Sequence, residues 1–95
     1  MIIHVSELAK ISEKLIAHLR EVAGEVIDVP VDCYWNIPKA QKYNAYQEPS
    51  ELDMGQLSDD WNELQKVLEK HFEPLTHDFV PLAAILRALG EHTLL

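Results

Sequence analysis

Apolar residues recur at three- and four-residue steps near the N-terminus of the chain, while polar residues fill the positions between them. This period is typical of an amphipathic helix that buries one face. Ser6 has the side chain of a good N-cap, and Gly24 stands where a glycine often ends a helix. The pattern therefore predicts a helix over residues 6–23. Its stripe consists of five aliphatic residues: Leu8, Ile11, Leu15, Leu19 and Val22.

The pattern changes between residues 25 and 37, where β-branched and aromatic residues predominate. This composition is typical of an extended segment. Pro30 cannot donate a backbone hydrogen bond, so the segment suits an edge strand or an interrupted one. Residues 39–57 are mostly polar and contain Pro49 and Gly55. They predict a long loop, with one short strand around residues 42–46.

A second helix is predicted to begin at Ser58, a good N-cap. Asp59 and Asp60 follow in the first turn, where the helix dipole favours negative charge. Pro74 is expected to end this helix. The stripe expected to be buried consists of large apolar residues: Trp61, Leu64, Leu68 and Phe72.

A third helix is predicted to begin near Asp78, with Pro81 in its first turn, and to end at Gly90. Together these elements predict a mainly α fold. Three helices would form the core, with an extended segment or small β hairpin laid against them; α+β is the close alternative. Ninety-five residues suit a single domain over 1–95.

The acidic charge of the chain argues against two classes of partner, nucleic acid and membranes. Sixteen acidic residues against eight basic ones give a net charge of −8. Such a surface repels nucleic-acid phosphate and anionic lipid, so neither nucleic acid nor membrane is expected as a partner. The single cysteine cannot form an internal disulfide, and no secretion leader is evident, which together favour a cytoplasmic protein.

Two adjacent aromatic residues, Tyr34 and Trp35, lie in the extended segment. Successive side chains of a strand point to opposite faces, so one of the two can enter the core while the other is exposed. An exposed Tyr or Trp is typical of a binding anchor. The alternative is that the helices and the long loop cover both.

Acidic residues cluster after these aromatics, and they suggest a surface for a basic protein partner; a solvated face is the alternative. The cluster has six carboxylates: Glu48, Glu51, Asp53, Asp59, Asp60 and Glu63. We take Tyr34, Trp35 and the first five of these carboxylates as the candidate partner-binding residues.

Catalytic signatures are absent from the sequence, which contains no glycine-rich phosphate loop and no common nucleophile or zinc motif. His71 and His77 lie on either side of Pro74, with carboxylates at Glu73 and Asp78, but nothing in the spacing fixes a full ligand set. We therefore expect no cofactor, no metal and no catalytic residue. Cys33 is expected to be a small buried apolar residue.

The third predicted helix is apolar on nearly every side, because Arg87 is the only charged residue between Phe79 and Leu89. A helix of this kind needs cover on all faces, and a second copy of the chain would supply it. We expect four small or aliphatic residues to form the contact between the two copies: Ala84, Ala88, Leu94 and Leu95. The alternative is a monomer in which the 39–57 loop covers the outer face.

Several spaced motifs resemble a group of small bacterial proteins of unknown function, over residues of about 32–90. The motifs are Tyr34-Trp35-x-Ile37, Gly55-x-Leu57-x-Asp59-Asp60-x-x-x-Leu64 and the run from Leu82 to Gly90; between them lie Tyr43, Tyr46, Pro49 and Leu52. The resemblance implies a bacterial, cytoplasmic, single-domain protein. It carries over no activity and no catalytic residues.

The sequence as a whole favours a non-enzymatic protein-interaction module, of an accessory or immunity type, that binds another protein and forms a homodimer. The alternative is a small metal-dependent enzyme or regulator that uses the His71 and His77 region. A DNA mimic ranks last, because a net charge of −8 is modest for one.

Overall fold

A computed structural model describes residues 1–37, 42 and 52–93. The expectation of a mainly α fold with a small β hairpin is confirmed, since the described residues form three α-helices and one antiparallel pair of strands. The regular elements, in chain order, are α1 (Val5–Ala23), β1 (Cys33–Asn36), β2 (Asp53–Gln56), α2 (Leu57–Gln65), two short 3₁₀ turns (Lys66–Leu68 and Thr76–Asp78) and α3 (Phe79–His92).

Contacts divide the chain into two compact units. The first is built on Met1–Asp28 and contains helix α1, and the second is Val29–His92 and contains every other element. The single domain expected over 1–95 stays a prediction.

Helix α1 begins at Val5, one residue earlier than expected. The carbonyl of His4 accepts hydrogen bonds from the N–H groups of Glu7 and Leu8, at 3.0 and 3.1 Å. No side chain caps this end, so the expectation that Ser6 would cap it is wrong. The carbonyl of His4, rather than a hydroxyl, is the acceptor for the N–H groups of Glu7 and Leu8.

The C-terminal end of α1 follows the prediction. Gly24 has a φ of 84°, in the region that favours glycine, and its N–H donates to the carbonyl of Arg20 at 3.0 Å. The expectation that α1 buries its apolar stripe stays a prediction.

Strands β1 and β2 pair antiparallel in a two-stranded sheet. Strand β2 lies in the segment expected to be a loop, so that part of the prediction is wrong. Its residues are poor strand formers, and pairing with β1 holds them extended. The strand expected around residues 42–46 is wrong at Lys42, which is helical, and residues 43–46 lie outside the described residues. The paired positions are Cys33 with Gln56, Tyr34 with Gly55, Trp35 with Met54, and Asn36 with Asp53.

Helix α2 is shorter than expected, because it ends at Gln65 and its 3₁₀ extension ends at Leu68, well before Pro74. The expected buried stripe is also wrong in part. Trp61 is 52% exposed and Leu68 is 78% exposed. The break after Gln65 removes the helical spacing that would have aligned Leu68 with the residues before it.

Helix α3 begins as predicted beside Asp78. The carboxylate of Asp78 accepts a 2.7 Å hydrogen bond from the N–H of Leu75, and its own N–H donates to the carbonyl of Leu75 at 2.9 Å. The helix continues through Gly90 to His92, so the expected end at Gly90 is wrong. A glycine inside a helix costs roughly 1 kcal/mol but does not by itself end the helix.

The core of the second unit is small. Among the described residues, only Leu57 at the start of α2 and Ala88 in α3 are buried. The N–H of Leu57 donates to the carbonyl of Asp32 at 2.6 Å, which joins the start of α2 to the chain just before β1. The hairpin and the two helices are therefore held together by a few specific contacts as well as by apolar packing.

Candidate functional site

The hairpin places its two aromatic residues on opposite faces. Tyr34 is half-buried, whereas Trp35 is 67% exposed. This is the alternation that an extended segment predicts. Tyr34 therefore packs within the fold, whereas the side chain of Trp35 is exposed and can contact a partner.

Tyr34 joins the hairpin to helix α2. Its hydroxyl donates a 2.6 Å hydrogen bond to Oδ2 of Asp60, in the first turn of the helix. Burial, this hydrogen bond and the charge of Asp60 raise the pKa of Tyr34 to about 12. The ring lies over Gly55, where the Cβ of any other residue would overlap it. A glycine at position 55 therefore allows the ring of Tyr34 to lie this close to strand β2.

A second contact, from the residue just before β1, caps helix α2. Oδ1 of Asp32 accepts a 2.7 Å hydrogen bond from the N–H of Ser58, and Oδ2 accepts a 3.0 Å hydrogen bond from the Ser58 hydroxyl. The helix begins at Leu57, so Ser58 lies inside the first turn and the expectation that it caps the helix is wrong. A carboxylate distant in sequence takes over the capping role.

The exposed side of the hairpin carries an apolar pair. Met54 lies directly opposite Trp35 in the strand register and is 60% exposed. Cys33, two residues before Trp35, is also exposed, so the expectation that it is buried is wrong. Directly opposed side chains in an antiparallel pair have Cβ atoms about 5 Å apart, so the indole and the thioether form one continuous surface.

The structure describes only part of the predicted acidic cluster. Asp53 and Asp59 are exposed, as expected for a charged binding surface. Asp60 is half-buried and accepts the hydrogen bond from Tyr34. Its carboxylate therefore stabilises the fold and is not a free charge on the surface. Glu48 and Glu51 lie outside the described residues.

The two described residues among those predicted for self-association, Ala84 and Ala88, are not exposed. Ala88 is buried, at 7% exposure, and Ala84 is half-buried, so neither presents a free face to a second copy. Leu94 and Leu95 lie outside the described residues. A helix that is apolar on every side does not reveal from its sequence which side faces inwards, and the structure turns Ala88 inwards.

An apolar groove lies between α2 and the start of α3. It encloses about 330 Å³, and its lining includes five large apolar side chains: Trp61, Leu64, Leu68, Phe79 and Leu82. The sequence assigned Trp61 and Leu68 to a buried stripe and so missed the groove. The groove lies where α2 and its 3₁₀ extension end, the chain turns at residues 69–71, and α3 begins; Pro74 is among its lining residues.

The histidines of the alternative metal hypothesis, His71 and His77, are both exposed. Within residues 1–37, 42 and 52–93, no three His, Cys, Asp or Glu side chains are grouped closely enough to hold a metal ion. No helix in the described parts of the chain is long and apolar enough to cross a membrane.

Comparisons with known proteins identify no relative of this chain. No protein-family model, no curated protein and no solved structure matches it significantly. The residues and their geometry are therefore the basis for the functional conclusion.

Proposed function

We propose that this chain is a non-enzymatic protein-interaction module that binds a basic protein through the exposed face of its hairpin. One observation carries the proposal: Trp35 and Met54 lie opposite each other in the register and are 67% and 60% exposed. Aromatic residues and methionine are enriched at protein interfaces, where an aromatic ring buries a large apolar area and the flexible thioether adapts to the shape of the partner.

The charge of the chain favours a basic partner. A cationic side chain can lie over the indole of Trp35, and Arg is the usual residue in such contacts. Asp53 and Asp59 are exposed carboxylates on the neighbouring elements β2 and α2, and the net charge is −8. These charges would speed the encounter with a basic surface, and added salt would slow it.

The proposal is tested by capturing partners from an extract of the native cell with the tagged chain. Trp35→Ala is compared with Trp61→Ala, a matched control, because Trp61 is also about half exposed but lies in the groove between the helices. We expect a basic protein to be lost with Trp35→Ala, retained with Trp61→Ala and released by added salt. Equal retention by both variants would contradict the proposal.

The partner itself is then purified and titrated into the Trp61→Phe variant, in which Trp35 is the only tryptophan. Burial of an exposed indole moves its fluorescence to shorter wavelength, so a saturable blue shift is expected. Binding without any spectral change would place the interface elsewhere.

The role that fits such a module is that of a small accessory or immunity-type protein in the bacterial cytoplasm. The metal-dependent alternative at His71 and His77 is tested by elemental analysis of protein purified without chelators. We expect no stoichiometric transition metal. A bound metal that is lost in His71→Ala, together with a lower melting temperature, would favour the alternative.

A further inference from the structure

Helix α3 has an exposed ridge on the side opposite its buried residue. The ridge consists of four residues spaced four, three and four apart: Phe79, Ala83, Leu86 and Gly90. At 3.6 residues per turn they fall within about 60° of the helix circumference, and buried Ala88 lies about 180° from Phe79. All four are exposed, and none is charged.

Large and small residues alternate along the ridge, so that each large residue has a small one at the same distance on the other side of the midpoint. Phe79 and Gly90 are equally distant from its midpoint, and so are Ala83 and Leu86. A two-fold axis through that point would therefore place a large side chain opposite a small one at every position. At Gly90 an added Cβ would meet no atom within 4 Å, so there is open space for a side chain from outside.

We propose that two copies of this chain associate through this ridge, with their α3 helices antiparallel. Phe79 of one copy would lie against Gly90 of the partner subunit, and Leu86 against the partner subunit's Ala83. A two-fold dimer is the commonest oligomer, and its interface must be complementary to itself. The ridge is complementary to itself in this way. A surface that binds an unrelated protein does not need to be.

The exposed apolar area of the ridge and the adjoining groove sets the largest interface that two copies could form here. Phe79 is 63% exposed and adjoins the groove beside α2, where Leu68 and Leu75 are 78% and 69% exposed. With Trp61 and Leu86, these side chains expose on the order of 600 Å² per copy. An interface that covered both the ridge and the groove would therefore bury at most about 1,200 Å² for two copies, the lower end of specific interfaces. We therefore expect a dimer that dissociates on dilution.

Sedimentation equilibrium from about 1 to 100 µM tests the proposal, since this range spans a micromolar dissociation constant. We expect a concentration-dependent monomer–dimer transition that Leu86→Lys abolishes. The matched control is Val80→Lys: Val80 is 56% exposed on the same helix but about 100° around it from Phe79. This control is expected to dimerise normally. A wild-type monomer throughout the range, or equal effects of the two lysines, would overturn the proposal.

The register is tested by exchanging large and small residues. Gly90→Leu should weaken the dimer at least about tenfold, while the isolated helix gains propensity and the fold is kept. Phe79→Ala should also weaken it, because the side chain opposite Gly90 is lost. The double variant Phe79→Ala/Gly90→Leu should dimerise better than either single variant. A dimer that tolerates Gly90→Leu, or a double variant weaker than both single variants, would rule out this antiparallel register.

The effect of added salt distinguishes the dimer from the binding of a basic partner. Two copies of a chain with a net charge of −8 repel each other, so screening should strengthen the dimer. The proposed contact with a basic protein should weaken under the same conditions. Each proposal can therefore fail without the other.

Discussion

The hydroxyl of Tyr34 and the carboxylate of Asp60 are joined by a 2.6 Å hydrogen bond between strand β1 and helix α2. The two residues are 26 positions apart in the chain. The contact therefore fixes the orientation of the hairpin on the helix, and with it the position of Trp35 on the opposite face of the strand.

Replacing Tyr34 by Phe removes this hydrogen bond and leaves the ring in place. We expect a loss of about 1 kcal/mol in the free energy of unfolding, because the acceptor is charged but the pair is only part-buried. Urea denaturation measures the change. Trp35→Phe is the control and should alter stability by less than about 0.5 kcal/mol, since Trp35 is exposed. Equal losses in the two variants would contradict the role of the hydroxyl.

Titration with base should show the same contact through the pKa of Tyr34, which is about 12 in the folded protein. The pKa of an unfolded tyrosine is about 10. Because folding raises the pKa, the contribution to stability is complete below pH of about 10 and is lost as the pH rises towards 12. Tyrosinate absorbance should contain a late-titrating component that disappears in Tyr34→Phe. Persistence of that component in the variant would assign it to another tyrosine.

Glycine substitutions distinguish a required close approach from simple helix propensity. Gly55→Ala should destabilise the protein by roughly 1–3 kcal/mol, because the new Cβ overlaps the ring of Tyr34. Gly90→Ala should instead stabilise it by about 0.5–1 kcal/mol, since nothing lies within 4 Å and alanine favours a helix. Thermal unfolding of dilute protein, below the range of dimerisation, compares them. A stabilising Gly55→Ala would exclude the ring contact.

Removal of the carboxylate of Asp32 should destabilise helix α2. We expect Asp32→Ala to cost about 1 kcal/mol, the usual value for a lost N-terminal cap. Asp32→Asn keeps an oxygen that can accept from the N–H of Ser58, so it should cost less. Ser58→Ala removes only the hydroxyl contact and should also be milder than Asp32→Ala. Chemical denaturation of the three variants gives the order, and equal effects would contradict the cap.

The sequence predicts those features that depend on local patterns. Alternation along the strand separated Tyr34 from Trp35, and the glycine at position 24 ends helix α1 as expected. Strand β2 was missed because Asp53 and Gly55 are poor strand formers that are held extended by the pairing with β1.

Features that depend on distant residues could not be derived from local patterns. The N–H of Ser58 is capped by the carboxylate of Asp32, 26 residues away. The local sequence instead predicts that Ser58 itself is the cap. For helix α3, an apolar surface on all sides left the inward side undetermined, so Ala88 was assigned to a dimer contact although it is buried. The hydrogen bonds from Ser58 to Asp32 decide the first case, and the packing of α3 against α2 decides the second.

The cap at the start of α2 also has a kinetic consequence. Asp32 and Ser58 come together only when a 26-residue separation in sequence is closed, and the Tyr34 contact closes an equal one. Loop closure must precede any gain from these bonds, and contacts of long sequence separation slow folding. During synthesis at roughly 5–20 residues per second, β1 emerges seconds before its partners. Until then the strand is exposed, and Trp35 and Cys33 are open to incorrect pairing with other chains.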